Sequence, residues 1–166
     1  FKHLNVTAIM TDIIKDLDRF RIIYGLKKIY RFNSVDGRKE SVPEHVFSSL
    51  MLADFFMSEF DFKVDKHRVF DLILYHDLME LYAGDTPLHP KIKGDGQKER
   101  EETAAKRLFE DLPDIISKRY SELFYEFEDR KTQEAKLAKA IEQLDAEIHE
   151  LDYTKDWQGW TETFLK

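Results

Sequence analysis

Residues 75–87 read YHDLMELYAGDTP, and the way this stretch sits on a helix decides the fold. Asp65 stands upstream as an N-cap, Val69, Leu72, Ile73, His76 and Glu80 recur at helical spacing, and Gly84 supplies a stop. The spacing therefore predicts one helix from about Asp65 to Gly84. On it the neighbouring His76 and Asp77 point about 100° apart, and both grip one ion only if it lies between their directions. Taken singly, such a pair is as readily a core histidine held by a neighbouring acid. It gains meaning only if other helices bring further ligands to the same point.

Working outward, the same periodicity recurs with few interruptions. Upstream, Ser41 with Pro43 and Glu44 reads as a helix start, and that helix runs to about Glu59 with His45 near its beginning. Ile9, Ile13, Ile14, Leu17 and Phe20 mark a first helix from about Thr7 to Phe20, and RIIYGLKKIY carries a shorter one to about Tyr30. Between them and Ser41, RFNSVDGRKESVP is rich in turn and breaker residues and reads as a loop. Downstream, GDTPLHPKIKGDGQ is loop by composition, and amphipathic segments follow at Glu99 to Glu110 and Asp114 to Phe127. The last long helix, from about Thr132 to Trp157, places Leu137, Ile141, Leu144, Ile148 and Leu151 on one stripe. The expectation is an all-α, single-domain helical bundle over residues 1–166, with hardly any sheet.

Composition bounds the chemistry. The 166 residues suffice for one domain with its own core, and 42% hydrophobic with 36% charged residues is the balance of a globular chain. Thirteen Phe and seven Tyr predict an aromatic-rich interior, with Phe47, Phe55, Phe56 and Phe60 assigned to it. A formal charge of −7 argues against an extended nucleic-acid surface, so a nucleotide partner should be small. No apolar run approaches the roughly 20 residues of a membrane span, and no signal peptide is visible, so the cytoplasm is the expected location. The chain has no Cys, so a metal site must be built from His and carboxylates.

A helical bundle builds such a centre from ligands on different helices. His45, His76, Asp77 and an acid of the last helix would make a set of two nitrogens and two oxygens. Imidazole with carboxylate suits Mn, Co, Fe, Ni or Zn better than Mg. A metal so held lowers the pKa of a water molecule and readies it for attack.

Three segments in order, PEHVFSS (43–49), YHDLMELYAGDTP (75–87) and KAIEQLDAEIHELDY (139–153), resemble the core motifs of the HD-domain phosphohydrolases, nearest the bacterial 5'-deoxynucleotidase branch. The resemblance spans about Leu26 to Trp157, and its middle motif is the most specific. It implies an all-helical metal enzyme with His45, His76 and Asp77 as metal ligands and Glu80 as the catalytic acid. Asp85 matches a second carboxylate near the phosphate, so Glu80 and Asp85 form the catalytic pair. Arg31 matches an arginine that grips phosphate, a role suited to its guanidinium. Phe32 matches an aromatic near the sugar that disfavours a 2'-hydroxyl, and Thr86 joins these two in the substrate-binding set.

The sequence departs from the pattern at the fourth ligand. The family's Asp is here Glu142, and Asp145 stands where the family has Glu. The alignment favours Glu142, whereas the apolar stripe lies angularly closer to Asp145. His3, His67, His89 and His149 read as structural or exposed, and Arg38 as a solvated loop residue. The resemblance implies hydrolysis of a deoxyribonucleoside 5'-monophosphate and, as a family trait, a homodimer. The alternatives are hydrolysis of a triphosphate, cyclic dinucleotide or alarmone by the same centre, and a non-catalytic nucleotide-sensing module.

Overall fold

The capping signals set the helix starts in the computed structural model, which describes residues 6–85 and 96–157. Helix α1 spans Val6–Phe20 and runs into a 3-10 segment, Arg21–Lys28. A hairpin of β1 (Tyr30–Val35) and β2 (Arg38–Ser41) follows, then α2 (Val42–Glu59). The Glu44 carboxylate accepts from both the backbone N and the Oγ of Ser41, each at 2.8 Å, which ties down the first turn of α2 beside Pro43. Asp65 caps α3 (Lys66–Tyr75) by accepting from His67 N and Arg68 N. Short α4 (Glu80–Ala83) ends at Gly84, which has φ 71°. Then come α5 (Gln97–Asp111), α6 (Asp114–Asp129) and α7 (Gln133–Glu150), the last capped by Thr132 Oγ1 at Ala135 N.

Helix α7 lies against α2 and α3, and α6 bridges α3, α5 and α7. Two buried apolar clusters result. One joins Val42, Leu78, Leu108 and Tyr120, and the other joins Ala53, Leu72, Ile73, Phe127, Ala138 and Ile141. The motif residues lie at the junction of these clusters, because Leu78 and Met79 belong to the first and Ile73 to the second.

Four expectations need correction. The stretch read as a loop is an antiparallel hairpin with pairs Tyr30↔Ser41, Ser34↔Lys39 and Val35↔Arg38. Its turn residues Asp36 and Gly37 have φ of 41° and 83°, the left-handed pair that Asp-Gly supplies in tight hairpins. Tyr30 accordingly opens a strand instead of closing a helix.

Second, the helix expected from Asp65 to Gly84 breaks over His76–Met79 into turns, with Leu78 N bonding Tyr75 O and Glu80 N bonding Asp77 O. His76, Asp77 and Glu80, which a regular helix would keep within an arc of about 100°, are all buried across the break, at 4%, 7% and 6% exposure.

Third, the last helix stops at Glu150 and gives way to turns and a 3-10 segment at Thr154–Trp157, with Leu151 exposed. The carboxylate of Asp156 is drawn aside by the hairpin, accepting from Ser34 N (2.7 Å) and Ser34 Oγ (2.9 Å).

Fourth, Phe47, Phe55 and Phe60 are exposed, and of the four assigned to the core only Phe56 packs against a buried cluster. Phe47 and Phe55 share a face of α2 that no other described element covers. Ile9, Met10, Ile13, Ile14 and Leu17 of α1 are likewise exposed. Arg19 anchors the end of α1 by donating to the Asp111 and Glu110 carbonyls at the end of α5.

Candidate metal centre

His45, one turn into α2, is wholly buried, and its ring orientation is set from outside the centre. Its Nδ1 lies 2.8 Å from Asp145 Oδ2, which also accepts from Ser48 Oγ at 2.9 Å. A carboxylate can only accept here, so the proton sits on Nδ1 and the lone pair on Nε2. His76 is fixed in the same way: its Nδ1 donates to the Ile73 carbonyl at 2.6 Å. Both Nε2 atoms are buried without a hydrogen-bond partner. Two lone pairs are therefore aimed into one interior point, the arrangement that metal-binding histidines adopt when their outer nitrogens are held by acceptors.

Glu142 completes this set from α7. One ligand atom each from His45, His76 and Glu142 lie within 4.8 Å of one another, all three residues buried. Glu142 Oε2 stands 2.7 Å from Lys139 Nζ, though off the angle of a hydrogen bond. Asp77 Oδ2 lies 3.0 Å from His76 Nε2 and 3.9 Å from His45 Nε2, close to both but not along a ring N–H direction. Asp145, the rival for the fourth position, is turned to His45 and Ser48 and stands behind the histidine. The donor set and its orphaned buried atoms fit a divalent metal with mixed nitrogen and oxygen preference.

Around this point the other expected residues take their places. Arg31 on β1 reaches in until Nη1 is 3.2 Å from Asp77 Oδ2. Burial disfavours its charge, but Asp77, Asp85, Glu80 and Glu142 outweigh that and raise its pKa. Glu80 is buried with Oε2 unpartnered. Burial, with Asp77 and Asp85 nearby, pushes its carboxyl up to about 10, so it carries a proton at neutral pH. Burial also raises Asp85, despite the opposing pull of Arg31. Asp85 Oδ2 accepts from the backbone N of Phe32 at 3.1 Å, which stitches the loop after Gly84 to the hairpin. The Phe32 ring lies under Lys39 Nζ at 4.6 Å. Thr86 and His89 lie outside the described residues.

Sequence reasoning missed Glu40, Ser48 and Lys139, and left His149 as structural. Ser48 one turn from His45 and Lys139 one turn from Glu142 carry a helical-spacing signal that only a known ligand partner makes legible. Glu40 carried none, since its strand was read as loop.

A fold of helices closing on buried histidines and carboxylates, ordered in this way along the chain, defines an HD-domain metal-dependent phosphohydrolase. The chain belongs to the HD-domain family, whose model matches residues 23–165. It is 30% identical over 141 residues to the 5'-deoxynucleotidase HDDC2 of Homo sapiens, covering 82% of this chain and 67% of that protein. The Mus musculus protein of the same name is 29% identical over 137 residues, covering 80% and 67%. Among solved structures, a predicted metal-dependent phosphohydrolase from Magnetospirillum magnetotacticum is similar with TM-score 0.76 and 30% identity, covering 99% of this chain and 82% of the other. An HD-domain phosphohydrolase from Listeria innocua has TM-score 0.60 and 25% identity, covering 77% and 64%. No helix among the described residues is long and apolar enough to cross a membrane.

Proposed function

We propose that this chain, one domain over residues 1–166, is a metal-dependent 5'-deoxynucleotidase that hydrolyses deoxyribonucleoside 5'-monophosphates to nucleoside and inorganic phosphate. One observation carries the reading. The aimed lone pairs of His45 and His76 meet the Glu142 carboxylate beside a buried arginine and the buried, unpartnered carboxyl of Glu80. The similarity to proteins named as 5'-deoxynucleotidases supports the substrate class.

His45, His76, Asp77 and Glu142 would hold the ion, Mn, Co, Fe, Ni or Zn in preference to Mg. Asp145 serves by orienting His45. A divalent ion at such a site supplies Lewis-acid activation of water and of a phosphoryl oxygen. Arg31 holds the equatorial phosphate oxygens through its guanidinium edge and stabilises charge that builds on them. Glu80, protonated at neutral pH, gives its proton to the departing 5'-oxygen. Asp85, with Oδ2 occupied by Phe32 N–H, keeps Oδ1 to take the proton of the attacking water. Phe32 walls the sugar against a 2'-hydroxyl; Thr86, assigned to the substrate by the resemblance alone, lies outside the described residues.

The assembly we propose is a cytoplasmic homodimer. Its support is the apolar ridge of Phe47, Met51 and Phe55 on α2, which is 57–68% exposed.

The test is phosphate release from matched deoxy- and ribonucleoside 5'-monophosphates after chelation and readdition of Mn or Co. Release that needs metal and favours the deoxy series is expected. A preparation with metal bound and no release from any monophosphate would overturn the reading.

A further inference from the structure

Arg31 is a buried cation with acids on more than one side, and its direction depends on how those acids balance. On the centre side, Nη1 lies 3.2 Å from Asp77 Oδ2. On the opposite side, Nε lies 3.5 Å from Oε2 of Glu40, which is 4% exposed and stands one residue in from the Tyr30–Ser41 pair, across from Arg31. Nε is buried without a hydrogen-bond partner, so one donor of the fork remains unused. Two carboxylates pulling in opposite senses hold a guanidinium at an intermediate position, and loss of one lets it collapse onto the other.

Glu40 Oε1 lies 3.7 Å from His149 Nδ1 on α7, beyond hydrogen-bond distance, and His149 Nε2 donates to the Ser34 carbonyl on β1 at 2.8 Å. The His149 ring stacks on Tyr153 at 4.9 Å, and the Tyr153 hydroxyl donates to Asp36 Oδ1 at 3.2 Å. With Asp156 on Ser34, these contacts rivet the hairpin to the end of α7. Helix α7 also supplies Glu142 and Asp145 to the centre. The strand pair bearing Arg31 is thus indexed to the helix bearing the metal acid.

We propose that Glu40 is a positioning residue for Arg31: its carboxylate draws the guanidinium away from Asp77 so that the fork faces the substrate phosphate. The inference rests on the assignment of Arg31 to phosphate and of the chain to phosphomonoester hydrolysis. Among the described residues Glu40 forms no hydrogen bond or ion pair with His45, His76, Asp77 or Glu142, so its influence on the phosphate runs through Arg31.

The experiment is a double-mutant cycle on the metal-loaded protein, using Glu40→Gln, Arg31→Ala and the pair. KM and kcat are measured for a deoxynucleoside 5'-monophosphate, Kd for inorganic phosphate, and metal content and Tm alongside. Glu40→Gln is expected to raise KM and phosphate Kd about tenfold, the size of one charge-assisted contact. It should shift kcat by less than about threefold and leave metal content unchanged. With Arg31 already removed, it should change nothing further. Glu40→Asp, which restores the charge on a shorter arm, should recover part of the affinity, and it carries the test if Glu40→Gln does not fold.

Additive effects of the two substitutions, or a fall in Tm with KM and phosphate Kd unmoved, overturn the inference. Failure of the hydrolytic reading is separate. It shows as wild-type protein inactive on every monophosphate, while the phosphate Kd still decides whether Glu40 acts through Arg31.

Discussion

Replacing Asp145 by Asn separates an orienting acid from a metal ligand. Asp145 Oδ2 receives His45 Nδ1–H at 2.8 Å and Ser48 Oγ–H at 2.9 Å. The introduced amide has two ways to sit. With its NH2 toward His45, it forces the ring proton onto Nε2 and blocks the lone pair aimed at the metal. With its oxygen toward His45, the tautomer survives, but a neutral acceptor replaces an anion and the imidazole becomes a weaker donor. Both outcomes lower metal affinity, by about 10- to 100-fold, which is about 1.4–2.7 kcal/mol. Glu142→Gln, which removes one charge from the ligand set itself, should lose more.

The assay is competition against a chelator of known affinity, with metal content after gel filtration and His45→Ala as the reference for a lost ligand. Wild-type affinity in Asp145→Asn would show that His45 keeps its tautomer without the acid. Loss as complete as in His45→Ala would show that Asp145 touches the metal. Either result refutes the orienting role.

Further consequences follow from the same geometry. Glu80→Gln should retain metal while kcat for phosphate release falls by about 10²- to 10⁴-fold, because proton transfer is removed without loss of a ligand. Unchanged kcat would remove Glu80 from the reaction. Burial raises the Glu150 carboxyl to about 6, with Asp156 adding to the shift. The folded state therefore binds this proton more tightly than the unfolded chain, whose value is about 4.3, and the group lowers stability as pH rises through that window. Glu150→Gln should stabilise the protein by about 1 kcal/mol at pH 8, after allowance for solvent screening, and by nothing at pH 4 in urea titrations. An equal effect at both pH values would refute it. Phe47→Asp with Phe55→Asp should shift the sedimenting species from dimer to monomer with helicity intact, and an unchanged mass would exclude that ridge from the interface.

The local elements were largely legible. Ser41 with Glu44, Asp65 and Thr132 mark helix starts because capping is satisfied within three residues, so it needs no tertiary partner. The compound motif through His76, Asp77, Glu80, Gly84 and Asp85 carried the family for a similar reason. Five residues at set spacings rarely coincide without a shared centre to serve. The hairpin was half-legible: Asp36-Gly37 announces the turn, but the flanking strands are short and polar, and loop composition outweighed it.

The sequence by itself determined the helical class, the helix starts and the order of the candidate ligands. Only tertiary structure decided which acid of α7 groups with the two histidines. Glu142 and Asp145 are three residues apart and share a helix face, so local geometry cannot rank them. Asp145 is claimed by His45 Nδ1 and Ser48, and Glu142 is left with His45 and His76. The break at His76–Met79, the counterpull of Glu40 on Arg31 and the exposure of Phe47 and Phe55 were equally undecided. Each depends on what another segment, distant in sequence, places alongside, and periodicity within one segment holds no information about that neighbour.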